Sequence, residues 1–447
     1  MECLAIKPDL VFLWDEAWFA FARCHPIYRQ RTGMASAAKL HETLQDPAYA
    51  ARHAAFSKSI DWDDEAQLLD TRLMPDPARA RIRVYATHST HKTLTALRQG
   101  SMIHVWDQDF KDKAEEAFHE AYMTHTSTSP NYQILASLDV GRRQVELEGY
   151  ELIQRQLELA MSLREQVRAH PLLRRYFRFL TVKDVVPPEY RESAVESYYD
   201  DETGWNNLEA AWRTDEFALD PTRATLSIGA AGMDGDTFKN KELMDRYGIQ
   251  INKTSRNTVL FMTNIGSTRS AVAYLIEVLV KIARDVDHRV ADMSAIERRI
   301  HEKRVRSLTL EQPPLPDFSS FHFAFRGRSV EGRGGTRDGD IRSAFFLSYD
   351  DANCEYIDMA EAVRAIQGGR ELVSALFVIP YPPGFPILVP GQVISAEILQ
   401  FMAALDVREI HGFRSELGFR IFSAEALGRA AQATAARAAL ALSGRIA

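Results

Sequence analysis

Asp9-Leu10-Val11-Phe12-Leu13-Trp14, running straight into Asp15-Glu16-Ala17-Trp18, is the stretch on which the fold reading turns. Its nearly continuous apolar run predicts a fully buried strand of a parallel sheet, with polar groups delivered at the C-terminal end. In open α/β sheets ligands bind at that end, so Asp15 stands where chemistry is commonly placed. The same carboxylate would serve equally as the cap of a following helix.

Working outward, a second strand is predicted over Ile82–Ala86, leading into Thr87-His88-Ser89-Thr90-His91-Lys92, and a third over Ser101–Val105. Thr93 to Arg98 leaves room for little more than one helical turn between them. After Thr128-Ser129-Pro130 the pattern is helical, with Leu152, Ile153, Leu157, Ala160, Met161, Arg164 and Val167 at three- and four-residue steps. Asp220-Pro221-Thr222 then precedes an alternating strand, Ala224–Ile228, and a Gly-rich turn from Gly229 to Gly235. Strands over Gly248–Lys253 and Val259–Thr263 and a helix from Thr268 to about Asp287 complete a small α+β domain. A breaker-rich stretch holding Pro313, Pro314 and Pro316, then Gly327, Gly332, Gly334, Gly335 and Gly339, reads as a linker or exposed loop. A helix over Glu355–Ile366 follows, then the proline-dense extended run Val378–Pro386 and an alanine-rich helical tail, Ser423–Leu442.

The chain has 447 residues, 46% hydrophobic and 26% charged, an ordinary globular composition. At roughly 150 residues per domain that length predicts about three compact units. A net charge of −7 and a pI near 6.0 show no basic surplus of the kind that advertises nucleic-acid binding. Cys3, Cys24 and Cys354 are scattered, without zinc spacing, so neither a metal site nor a disulfide framework is expected. The N-terminus lacks the pattern of a signal peptide. The longest apolar stretch, Ala271 to Ala283, is broken by Glu277 and Lys281 and is too polar for a membrane span. A cytoplasmic protein is expected.

The chemistry concentrates in His88-Ser89-Thr90-His91-Lys92-Thr93, directly after a strand. A lysine there can hold an aldehyde cofactor as a Schiff base, because burial and nearby positive charge depress its pKa and expose the lone pair. Ser89 and His91 can donate to a cofactor phosphate. A strand-end lysine is also a common structural residue. Asp15 adds the second signal: pyridoxal phosphate chemistry needs a carboxylate against the pyridinium nitrogen, keeping it protonated.

These segments resemble the bacterial arginine/lysine/ornithine decarboxylases, fold-type-I pyridoxal phosphate enzymes. The resemblance is carried by Asp15-Glu16-Ala17-Trp18 through Pro26-Ile27-Tyr28, Ala86-Thr87-His88-Ser89-Thr90-His91-Lys92, and Gln99-Gly100-Ser101-Met102-Ile103-His104-Val105. Glu120-Ala121-Tyr122-Met123, His125-Thr126-Ser127-Thr128-Ser129-Pro130, Leu219-Asp220-Pro221-Thr222 and Ile379-Pro380-Tyr381-Pro382-Pro383-Gly384 follow in family order. The wording around Asp15 looks most like the arginine enzymes.

The resemblance implies an α/β fold: part of a fold-type-I large domain over 1–150, a small α+β domain over 151–305 and a C-terminal α+β domain over 306–447. It implies that Lys92 is the Schiff-base lysine and Asp15 the pyridinium partner. Ala17 would pack on the ring, Trp18 would line the site, and Ser89 and His91 would contact the phosphate. Ser127, where the family usually has threonine, would reach the phosphate of a neighbouring subunit in a homodimer or higher oligomer. The implied reaction is decarboxylation of a basic amino acid, arginine above lysine or ornithine, serving acid resistance or polyamine supply. The acidic group reading the substrate's far end is not identified by the sequence, and Asp201, Glu202 and Glu209 also fit a solvated acidic loop. Only fourteen residues precede Asp15, so the family's wing domain and the first half of its cofactor domain are expected to be missing. A separate N-terminal half supplied in trans would complete the enzyme. A truncated homologue acting as an assembly or interaction subunit is the alternative.

Overall fold

The computed structural model describes all residues except 252, 312, 329–334, 382–383, 406, 408 and 444–447, and no side chains at 327–328, 335–338 and 437–443. The chain divides into two compact units. The first comprises Met1–Pro171, Phe179–Ala224 and Met262–Leu279; the second comprises Leu172–Arg178, Thr225–Phe261 and Val280–Ala447.

The first unit contains a three-stranded sheet of β1 (Val11–Asp15), β2 (Arg83–His88) and β3 (Met102–Asp107), in that order. β1 runs parallel to β2, with Asp15 opposite Thr87, and β3 runs antiparallel to β2, with Thr87 opposite Ile103. The register puts Phe12, Val84 and Trp106 in one row and Leu13, Tyr85 and Val105 in the next, on opposite faces. The first face is covered by helix α1 (Gly33–Gln45): Ala37 packs with Ile82 and Val84, and Phe12, Met34, Leu40 and Leu44 surround them. Thr32 caps that helix, its side chain accepting the Ala35 amide at 3.3 Å.

Among the described residues the other face is only partly covered, the Phe118 ring centroid lying 6.3 Å from that of Tyr85 while Leu13 and Ile103 stay exposed, which corrects the expected burial of β1. Leu13 is 73% exposed and Ile103 51% exposed, and β1 lies at the sheet edge. An apolar run marks a strand that would be buried in a complete α/β layer; it does not supply the covering layer.

After β2 the chain makes a single turn of helix, α2 (Thr90–Thr93), which falls ahead of the interval Thr93 to Arg98 where a turn has room and shares only Thr93 with it. The rest of that interval runs on to β3 as bends and turns without helix. The long helix α3 (Tyr132–Ala169) begins where Asn131 accepts the Gln133 and Ile134 amides. Its buried stripe, including Ile153, Leu157, Ala160, Leu163 and Val167, keeps the predicted three- and four-residue steps. Ile153 and Leu157 join Phe21, Tyr28, Leu208 and Trp212 in the main core of this unit.

In the second unit, Lys253–Thr254 pairs antiparallel with Thr258–Met262, so the strand expected over Gly248–Lys253 contracts to its last residue and the one beyond it. Gly248 sits at φ +66, a left-handed conformation that ends regular extension. The breaker-rich segment is more ordered than a linker: Arg326–Arg328 pairs antiparallel with Gly335–Gly339, although Gly332 and Gly334 lie outside the described residues. The helix expected over Glu355–Ile366 is instead strand Cys354–Ile357 followed by helix Met359–Gln367, the break falling at Asp358, whose side chain caps the Glu361 amide. That strand pairs with Gly418–Phe422, which also pairs with Phe413–Arg414. Ile357, Leu372, Ile394, Ile398, Phe419 and Ile421 form its core. Of the proline-dense run, Ile379–Tyr381 is a strand, whereas Pro382 and Pro383 lie outside the described residues. The tail is helical over Ala424–Ser443. No helix among the described residues is long and apolar enough to cross a membrane, and no group of potential metal ligands occurs among them.

Candidate active site

Parallel pairing of β1 and β2 brings their carboxyl ends side by side. Asp15 closes β1 opposite Thr87, and Ser89, His91 and Lys92 follow within five residues on β2 and the turn beyond it. Asp15 is exposed, and its Oδ1 accepts the Ala17 amide at 3.0 Å, which ties Ala17 and Trp18 into the same turn. No hydrogen bond or ion pair holds the Lys92 ammonium among the described residues, and the side chain is half-buried. Beside it, the hydroxyls of Thr90 and Thr93 are buried without a partner. His91 donates from Nδ1 to the Gly100 carbonyl at 3.1 Å, which leaves Nε2 as its free nitrogen.

Trp18 is clamped from the other side. Arg223 donates to the Trp18 carbonyl and lies over the Trp18 and Phe21 rings, 5.7 Å from each centroid. Asp220 faces the same guanidinium at 3.7 Å. Burial pushes the Arg223 pKa down, with Asp220 opposing the shift. Arg223 follows the Asp220-Pro221-Thr222 segment, but nothing in the sequence links it to Trp18.

Ser127 does not join this group. It lies exposed on the loop after the helix Glu115–His125, its Oγ accepting the Ser129 amide at 3.1 Å. Among the described residues no hydrogen bond connects it to Asp15, Ser89, His91 or Lys92. Two of the three acidic candidates are compensated: Asp201 pairs with Arg168 at 2.9 Å and Glu209 with Arg213 at 2.6 Å.

Sequence reasoning passed over Glu16 and His88, both buried. Glu16 Oε2 accepts from His88 Nε2 at 2.7 Å, and its Oε1 accepts the Gly33 amide at 2.5 Å, at the start of α1. The His104 ring lies 4.5 Å from that of His88, and its Nε2 is buried without a partner. Burial first, then His88, lowers the His104 pKa. The available signal was a charged pair at two adjacent strand ends, Glu16 beside Asp15 and His88 beside Ser89.

The chain has the α/β architecture of fold-type-I enzymes, the fold it shares with solved lysine decarboxylases. The sequence matches the family described as "Orn/Lys/Arg decarboxylase, major domain" over residues 67–271. The constitutive lysine decarboxylase of Escherichia coli is 25% identical over 413 residues, covering 88% of this chain and 49% of that protein. A lysine decarboxylase of Pseudomonas aeruginosa is 28% identical over 408 residues, covering 86% of this chain and 47% of that protein. The biodegradative arginine decarboxylase of Escherichia coli is 23% identical over 412 residues, covering 85% and 48%. Among solved structures, the lysine decarboxylase of Francisella novicida superposes with a TM-score of 0.57 at 21% identity, over 92% of this chain and 53% of that one. Over these spans the chain is similar to the Orn/Lys/Arg decarboxylases, a family of enzymes that use pyridoxal phosphate. It spans about half the length of the curated relatives it matches.

Proposed function

We propose that this chain carries part of the active site of a pyridoxal-phosphate-dependent decarboxylase acting on a basic amino acid. The observation that carries the reading is the placement of Asp15 and the Ser89–Lys92 turn at the neighbouring carboxyl ends of two parallel strands. These residues fit the cofactor: an exposed carboxylate for the pyridinium nitrogen and an amine with no internal partner for the aldehyde. Unpaired buried hydroxyls flank that amine. When bound, the cofactor supplies an electron sink for the pair left at Cα as CO₂ departs. Lys92 Nζ would anchor it, Asp15 would hold the proton on its ring nitrogen, and Ser89 would donate to its phosphate, joined by His91 Nε2 when that ring carries both protons. Ala17 would lie against the ring with Trp18 beside it, held by Arg223.

Ser127 serves a different position, a phosphate contact offered to a second subunit. Exposed Tyr122, Met123 and Tyr132 on the flanking helices support an oligomeric interface there. Arginine is the first substrate to test, on the wording around Asp15, with lysine and ornithine as competitors. A cytoplasmic location accords with the three free cysteines.

A second reading, an assembly or interaction subunit, is favoured by the exposed part of the sheet face around Leu13 and Ile103. On the first reading that face meets a separate polypeptide that completes the enzyme. Titration with pyridoxal phosphate separates the readings. We expect a visible absorption band that is abolished in K92A and weakened at least about tenfold in affinity in D15N, one lost charge-assisted hydrogen bond. A band unchanged by K92A removes the catalytic reading. Product analysis with arginine, lysine and ornithine, with and without co-expressed upstream coding sequence, then identifies the amine.

A further inference from the structure

Glu16 and His88 form a buried hydrogen-bonded pair immediately beside two proposed cofactor contacts, yet neither contacts the cofactor in the reading above. We propose that Glu16 and His88 are positioning residues that lock the carboxyl ends of β1 and β2 in register, and so set where Asp15 and Lys92 stand; this rests on the proposed function. Glu16, just past the end of β1, reaches two other elements at once, β2 and α1. Its backbone amide donates to the Thr87 carbonyl at 3.0 Å, extending the β1–β2 ladder one residue past Asp15. Its carboxylate takes His88 Nε2 at 2.7 Å through one oxygen and the Gly33 amide at 2.5 Å through the other.

Asp15 and Ser89 are the next residues along the chain on either side of this clamp, so any slip in it is passed to them directly. Both partners are buried, Glu16 at 5% and His88 at 8% exposure, so water does not replace a lost contact. The clamp is also sterically confined. A Cβ added to Gly33 would lie 3.4 Å from Glu16 Oε1 and 3.2 Å from Trp14 Cγ. The solvent-exposed Asp15 carboxylate has no such fixation of its own: among the described residues its side chain takes one hydrogen bond, from the Ala17 amide two residues on.

The test compares the full chain with E16Q, H88N and L44A. Leu44 packs on the covered face of the same sheet and lies outside the site, so L44A controls for general loosening. Backbone hydrogen exchange is read over residues 14–18 and 86–93, and the visible circular dichroism of the Lys92-dependent cofactor band is read in parallel. We expect E16Q and H88N to speed exchange about tenfold in those two segments and to shift or diminish the dichroic band. We expect L44A to lower the melting temperature while leaving the band unchanged. Unaltered exchange in both clamp variants overturns the proposal, as does a band that L44A changes as much as E16Q. If the unmodified chain shows no Lys92-dependent band, the cofactor reading fails. The exchange measurement then judges the clamp alone: local loss of protection supports it and unchanged protection overturns it.

Discussion

The guanidinium of Arg164 is buried in the first unit and donates to three backbone carbonyls, those of Pro221, Leu180 and Arg223, at 3.1, 2.9 and 3.1 Å. It also lies 5.4 Å from the centroid of the Phe179 ring. Burial pushes its pKa down to about 10, with Asp220 opposing. Removing it would take the donor from three part-buried carbonyls at once, and R164M is expected to cost about 2 kcal/mol in denaturant unfolding. The sequence showed Arg164 only as a member of a helical stripe. Its partners lie 16 to 59 positions away in sequence, and no local pattern connects them. Asp15 and Lys92 were legible because each closes or follows a strand in an uncommon setting. Glu16 and His88 were not, because they are separated by 72 positions and become partners only through strand register.

At the scale of elements, helix α3 carries a glycine where close approach requires one. A Cβ on Gly141 would stand 1.8 Å from the Thr95 carbonyl oxygen, in the segment just beyond Lys92. Gly→Ala in a helix interior ordinarily stabilises by about 1 kcal/mol. G141A is expected to do the reverse and cost about 2 kcal/mol by overpacking. G428A, in the tail helix with nothing within 4 Å, is the matched control and should be neutral or stabilising. Thermal melts of the two variants check the pair. The β1 strand makes a second element-level prediction. Leu13 is exposed on an edge strand, so L13K should leave stability within about 0.5 kcal/mol while reducing self-association in sedimentation. The strands at Val11–Asp15, Arg83–His88, Met102–Asp107, Arg223–Ser227 and Thr258–Met262 stand within a few residues of expectation, since apolar runs and turn residues are local. Cys354–Ile357, by contrast, was expected as helix and Gly418–Phe422 not as a strand. Burial of β1 was not legible, because a strand cannot report what lies against it.

Across the whole molecule, His25, His104, His301 and His322 share one direction of shift: burial is the leading cause, and each pKa is lowered. The unfolded state therefore binds more protons than the folded one below an ordinary histidine value of about 6.5. Stability is full above that pH and is lost as pH falls through the lowered folded values. Urea midpoints should decline progressively below about pH 6.5, and H104Q should flatten part of that decline. Asp109 adds a second, more acidic step. Arg81 and Lys113 hold its carboxyl down at about 2, so its contribution is present above about pH 4 and is lost toward pH 2. D109N should remove that step.

Local order and chemical type were determined by the amino-acid sequence alone. Apolar runs, proline and glycine placement and the Ser89–Lys92 segment specified the first-unit strands, the long helix and the residues proposed for cofactor chemistry, because those signals depend on near neighbours in the chain. Tertiary structure alone decided which of those residues act together. Parallel pairing set Asp15 beside the Lys92 turn, joined Glu16 to His88 and Gly33, brought Arg223 to Trp18, and left Ser127 apart. Each of those outcomes depends on register and packing between segments distant in sequence, where the energy of a contact exists only once both sides are in place.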